Sequence, residues 1–172
     1  MILSLWDNLV RDPGLMEALK AVQDDYGLID SSTSHWYPRQ AGAPGQPRNP
    51  IERLAEIVVA TVCPEGLVGV EYWTNSLGSG EIMYPHKDKD EKLYLSRKEF
   101  RHPAVSTVFY PGHLPFAGGQ LVIDRRHMLS PAPNQLAAFR GDLEHGVQKV
   151  TDGTRHSIAL NLWDVTPIAY QG

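Results

Sequence analysis

Cysteine is almost missing from this chain: there is one, Cys63, in 172 residues. An internal disulfide is thereby excluded, and a reducing compartment is the expectation. Long apolar runs are missing as well, and none approaches the roughly eighteen residues that a membrane-spanning helix requires. There is no basic surplus, since 16 Lys and Arg face 20 Asp and Glu for a formal net charge of −4. Nucleic acid and anionic membrane surfaces both call for the opposite sign, so neither partner is expected. A small anionic ligand stays open, because one or two local arginines would hold it. The opening MILSLWDNLVRD has no basic residues ahead of its apolar stretch and no small-residue cleavage pattern, so no signal peptide is read there and a cytoplasmic setting is expected. What is present, 42% hydrophobic residues in a chain of one-domain length, suffices for a substantial core.

Two amphipathic helices are expected in the first third. In residues 12–27 Asp12 can cap, Pro13 suits the first helical position, and Leu15, Leu19, Val22 and Tyr26 form one stripe before Gly27. Residues 49–64 repeat the grammar with Asn49, Pro50, Glu52 and a closing Pro64. The proline-rich stretch 30–50 between them lacks periodicity and reads as a disordered connection or a lid, with Trp36 and Arg39 as its chemically richer residues. From residue 67 onward the chain turns to short β-branched and aromatic runs separated by LGSG, PGHLPFAGG, SPAPN and TDGT. That spacing predicts a mainly β sandwich or barrel over 67–165, with 1–66 as helical support and lid, all in one domain.

The chemistry centres on YPHKDKDE at 84–91. On an extended strand residues two apart face the same way, so His86 and Asp88 can share an ion. His145 offers a third ligand. Two imidazoles and one carboxylate leave octahedral positions open, the arrangement of non-haem Fe(II) sites that activate dioxygen. A structural zinc site would close its shell with a fourth ligand, and Cys63, at a helix end, is poorly placed for that. Arg155 can pair through both arms with the far carboxylate of a chelating cosubstrate, and Ser157 lies on the same face. If 145–160 formed a two-residue hairpin at Asp152-Gly153, Arg155 would face away from His145. A bulged turn at TDGT is therefore expected, to return both to one face.

The ordered set His86-x-Asp88, His145, Arg155-x-Ser157 resembles the 2-oxoglutarate- and Fe(II)-dependent oxygenases, especially their prolyl-hydroxylase-like branch. STVFYPGHLPFAGGQLVI at 106–123 is similar to the segment in which a tyrosine precedes a Gly-Gly-acid-Leu signature, although Gln120 stands here in place of the acid. The resemblance covers about 67–165 and implies a double-stranded β-helix, or jelly roll, with supporting N-terminal helices. It implies Fe(II) on His86, Asp88 and His145, and 2-oxoglutarate on Arg155 with Tyr110 and Ser157 as hydrogen-bond partners. The reaction it implies consumes O2 and 2-oxoglutarate, with ascorbate as reductant in vitro. It hydroxylates an unactivated C–H of an amino acid, a peptidyl residue such as proline, or a small metabolite, with succinate and CO2 as co-products. Retention of Asp88 separates the sequence from halogenating relatives, which carry a small residue there.

Alternation nominates further residues for the substrate side. Tyr84 shares the face of His86, while Asn161 and Trp163 share that of Arg155, and Trp36 and Arg39 come from the lid stretch. His102, His113 and His127 read as surface residues, His156 as facing outward, and Asp90 as a rival ligand at a less suitable spacing. The alternative class is a cupin-like metal-binding jelly roll without 2-oxoglutarate chemistry, in which the arginine would have no role. Oligomeric state is not readable from the sequence.

Overall fold

The computed structural model describes residues 3–24, 33–39, 43–112 and 114–172. Among these residues eleven strands and three α-helices follow in chain order: β1 (Leu3–Asp7), α1 (Pro13–Asp24), β2 (His35–Pro38), α2 (Pro50–Val62), β3 (Gly69–Gly78), β4 (Met83–His86), α3 (Glu91–Arg97), β5 (Val105–Tyr110), β6 (Phe116–Gly118), β7 (Leu121–Ile123), β8 (His127–Leu129), β9 (Gln135–Arg140), β10 (His145–Val147) and β11 (Val150–Trp163). The strands form a larger sheet ordered β1-β9-β5-β11-β3-β2, with β6 also on β11, and a smaller sheet ordered β4-β10-β7-β8. Every pairing is antiparallel. The mainly β jelly-roll expectation agrees with this architecture.

Local chemistry explains the helices. Asn49 accepts from the Glu52 backbone N–H at 2.9 Å, and Pro50 occupies the first turn, where a missing N–H costs nothing. Asp12 accepts from the backbone of Gly14 and Leu15. Glu52 turns inward and is fully buried, taking Arg48 and the Tyr72 hydroxyl as partners. Burial pushes its carboxyl up, but those donors outweigh burial and leave it below the ordinary carboxylate value.

The larger sheet separates two cores, and alternation along β11 shows how. Ile158, Leu160 and Leu162 pack with Leu19, Leu54 and Val58 beneath the helices. The intervening residues Arg155, Ser157, Asn161 and Trp163 are also buried, but they point to the opposite face, toward the smaller sheet. There a second cluster joins Tyr110, Ala137 and Phe139 of the larger sheet to Leu121 and Ile123 of the smaller. Apolar contact with the helices therefore fixes the register that turns the polar residues inward.

Several expectations change. The first third adds two edge strands as well as helices: β1 pairs β9, and β2, inside the stretch read as a lid, pairs β3. Residues 30–32 and 40–42 of that stretch, and the Tyr26-Gly27 end of the first helix, lie outside the described residues. No hairpin turns at TDGT, because β11 runs unbroken through it and pairs Thr154 with Gly78. A register shift is present there, between Val150 and Asp152 against β6, and Gly153 carries a φ of 70°. His145 belongs to the other sheet and pairs with His86 and Ile123, so it meets Arg155 across the interior and not along a hairpin.

Candidate metal centre

His86 ends β4 and His145 opens β10 as its cross-strand partner, while Asp88 follows in the turn before α3. One ligand atom from each lies within 4.8 Å of the others. The Nδ1 of His86 lies 2.8 Å from the Tyr84 carbonyl and that of His145 lies 3.1 Å from the Leu143 carbonyl. A carbonyl only accepts, so each Nδ1 carries the proton and each Nε2 presents its lone pair. Those Nε2 atoms lie 3.6 and 3.5 Å from the two oxygens of Asp88. Ligands held about 2.0–2.2 Å from one ion sit about 3 Å apart at right angles, so a small closure suffices. Burial pushes the His145 imidazole down, with the Asp88 charge opposing and His86 adding to the effect, which favours the neutral, coordinating form.

The carboxylate is fixed from behind. Ser106 Oγ donates to Asp88 Oδ2 at 3.0 Å, and His102 Nδ1 meets the Asp88 carbonyl at 2.6 Å. Phe139 lies against the His145 ring with centroids 4.9 Å apart. Asp90 has a different job: it caps α3 through Leu93 N–H, accepts from Ile168 N–H, and is not among the clustered ligands.

Beyond the triad lies Arg155, only 1% exposed. Its Nε donates to the Gly119 carbonyl at 2.9 Å, and its Nη atoms to Ser157 Oγ at 3.2 Å and Tyr110 Oη at 3.1 Å. All three partners are neutral, and among the described residues no acid pairs with it. Burial pushes its pKa down and raises that of Tyr110. Gly118 and Gly119 have φ of 73° and 66°, and a Cβ on Gly119 would stand 2.9 Å from Arg155 Cδ. The Gly-Gly pair therefore brings a carbonyl onto the guanidinium where a side chain would intrude.

The triad, Arg155, Ser157, Asn75 and Met83 line a narrow cavity of about 60 Å³. His86, Asp88 and Trp73 also border an open mouth of about 280 Å³, shared with Glu71, Lys89 and Asn161. Asn161 thus borders the mouth, on the strand that carries Arg155 and Ser157. Trp163 is fully buried and donates Nε1–H to Glu71 at 3.2 Å, a supporting position behind the mouth.

Tyr84 does not share the inward face of His86. His145 pairs with His86 but Val147 pairs with Met83, so β4 carries one extra residue, and Pro85, which has no N–H for the ladder, sits within it. The bulge reverses the alternation: Met83 lines the inner cavity and Tyr84 is 76% exposed. Arg39 faces α2 and pairs with Glu56 at 3.0 Å, and Trp36 stacks on Tyr170 at 5.1 Å, so neither lines the two cavities. His156 lies beside Ser76 Oγ on the outer side, while His113 is outside the described residues. Ser106 and Glu71 border the site although the sequence does not single them out, and Gly119, noted there only within the Gly-Gly signature, supplies the carbonyl that meets Arg155. An inward polar residue two steps before Val108 and four before Tyr110 is the available sign for Ser106.

No protein-family profile and no curated protein matches the sequence. Solved structures do match the fold. A prolyl-4-hydroxylase from Pseudomonas putida aligns at TM-score 0.62 and 19% identity, over 95% of this chain and 88% of that one. A viral collagen prolyl hydroxylase from Paramecium Bursaria Chlorella virus-1, solved with 2OG, gives TM-score 0.63 and 14% identity over 96% and 97%. A 2OG-Fe(II) oxygenase family oxidoreductase from Burkholderia pseudomallei gives 0.61 and 13% over 99% and 89%. The chain therefore has the double-stranded β-helix fold found in 2OG-Fe(II) oxygenases, including prolyl hydroxylases.

Proposed function

We propose that the protein is a 2-oxoglutarate- and Fe(II)-dependent dioxygenase that hydroxylates an unactivated C–H bond of an amino acid, a peptidyl residue or a similar small metabolite. One observation carries the reading: three ligand atoms aimed at one point, and beside them a buried guanidinium with no anion of its own. A buried cation without a counter-charge is costly, and a carboxylate arriving there removes the cost. A cupin-like site has no use for such a group.

The donor set fits ferrous iron, with His86 and His145 offering neutral Nε2 atoms and Asp88 a carboxylate. Bound there, Fe(II) supplies dioxygen activation coupled to decarboxylation of 2-oxoglutarate to succinate. Leu143 and Tyr84 carbonyls hold the imidazoles in the coordinating tautomer, and Ser106 aims Asp88. Arg155 receives the distal carboxylate, with Ser157 and Tyr110 setting the plane of its fork. The sheets exclude bulk water from the inner cavity, and substrate enters by the mouth that His86 borders. Among the described residues no helix is long and apolar enough to cross a membrane. The free, exposed Cys63 suits a reducing cytoplasmic setting in which ferrous iron persists.

The test is succinate formation by purified protein with Fe(II), ascorbate, O2 and 2-oxoglutarate. Slow uncoupled turnover is expected, and His145→Ala should abolish it. Succinate no higher than in a protein-free control, with no 2-oxoglutarate binding by calorimetry, would overturn the proposal.

A further inference from the structure

Glu71 and Asn161 stand opposite each other on β3 and β11, and both border the mouth that His86 and Asp88 share. Asn161 is only 2% exposed, yet among the described residues its amide has no hydrogen-bond partner. It borders the mouth, and a buried side-chain amide calls for a partner. Glu71 accepts from Tyr170 Oη at 3.1 Å and Trp163 Nε1 at 3.2 Å, and Ser34 Oγ donates in turn to that Tyr170 hydroxyl at 2.6 Å. Both donors are neutral, and a carboxylate offers about four acceptor positions. Among the described residues no cation pairs with Glu71. Of the two lysines that border the mouth, Lys89 is committed to Glu91 at 2.6 Å and to the Tyr94 ring, and Lys87 makes no ion pair with Glu71. The site thus holds an unpaired guanidinium at its inner end and an acid without a cation at its outer end.

We infer that this mouth selects a small substrate bearing a protonated amine, which donates to the Glu71 carboxylate and the Asn161 side-chain oxygen beside the metal ligands. An ammonium is all donor and no acceptor, which matches two neighbouring acceptors. A free amino acid is its simplest carrier. A mid-chain prolyl residue is a poor match, because its tertiary amide nitrogen has no proton to give Glu71. The inference rests on the oxygenase reading for the chemistry that follows binding, but amine recognition is measurable without it.

The experiment titrates the full chain, anaerobically with Fe(II) and 2-oxoglutarate, with individual L-amino acids, their N-acetyl counterparts and a blocked prolyl tripeptide, using calorimetry. A parallel aerobic assay follows succinate. At least one free amino acid should bind tenfold or more better than its acetylated form. In Glu71→Gln that preference should shrink at least tenfold, through KM more than kcat. Tyr170→Phe, which removes a tether to the carboxyl but leaves the acid, should keep the preference. Acetylated and free probes binding alike would overturn the inference, and so would a Tyr170→Phe variant that loses the preference as fully as Glu71→Gln. Amine preference without any succinate would sink the oxygenase reading alone; uncoupled succinate without amine preference would sink this inference alone.

Discussion

Replacing Arg155 by Met separates stability from function in a way that few buried arginines allow. In an ordinary buried ion pair, removing one partner strands the other charge and costs about 3–5 kcal/mol. Here the partners are the Gly119 carbonyl, Ser157 Oγ and Tyr110 Oη, so no charge is stranded. The losses are hydrogen bonds to neutral groups, each of order 1–3 kcal/mol when a buried partner is left unpaired. Against them stands the relieved desolvation of a cation that is 1% exposed, itself several kcal/mol, and methionine restores most of the packing. The two sides nearly cancel, so urea denaturation without ligand should place Arg155→Met within about 2 kcal/mol of the parent. With 2-oxoglutarate the two proteins should diverge. At a hundred times Kd the ligand stabilises the parent by about 2.7 kcal/mol, whereas the variant, lacking two charge-assisted bonds of about 1.5–3 kcal/mol each, should bind at least about a hundredfold more weakly and show almost no shift. A variant still stabilised by 2-oxoglutarate to the parent's extent would refute the assignment of the anchor.

Three further outcomes are expected. Ser106→Ala leaves Asp88 Oδ2 without its 3.0 Å donor and should weaken Fe(II) binding about tenfold, measured by competition with a chelator, while the fold persists. Gly119→Ala places a Cβ against Arg155 Cδ at a φ of 66°, so it should destabilise the protein by about 1 kcal/mol or more and raise the KM for 2-oxoglutarate. Burial pushes the phenols of Tyr72 and Tyr170 up to about 12 from an ordinary 10.0. The unfolded chain therefore releases those protons first, and this part of the stability, complete below pH 10, should fall as pH rises toward 12 in an alkaline denaturation series.

The part of the fold carried by local patterns is legible in the sequence. Asn49, Pro50 and the stripe Leu15-Leu19-Val22 mark their helices, and period-two alternation correctly groups Arg155, Ser157 and Asn161 on one face. What escapes such patterns is long-range. Nothing local tells that His145 pairs with His86 in a different sheet, so a bulged turn at TDGT looks necessary to bring it to the face of Arg155 when it is not. Alternation also fails at Tyr84, because the extra residue at Pro85 reverses it within four residues. The edge strands β1 and β2 escape for a related reason: each is a short segment whose identity comes from the partner it joins. Glu71 is hidden within a run that reads only as strand, and its meaning appears when Asn161 is set opposite it.

The unbroken length of β11 has a consequence for which molecules can compete with one another. Arg155 and Asn161 ride on one rigid strand, six positions apart, which at about 3.4 Å per residue separates their backbones by about 20 Å. A five-carbon diacid gripping the first is far too short to touch the second. Inhibitors that mimic the cosubstrate should therefore leave the amine-facing end vacant, and compounds long enough to reach both would be read by a gauge that only this strand sets.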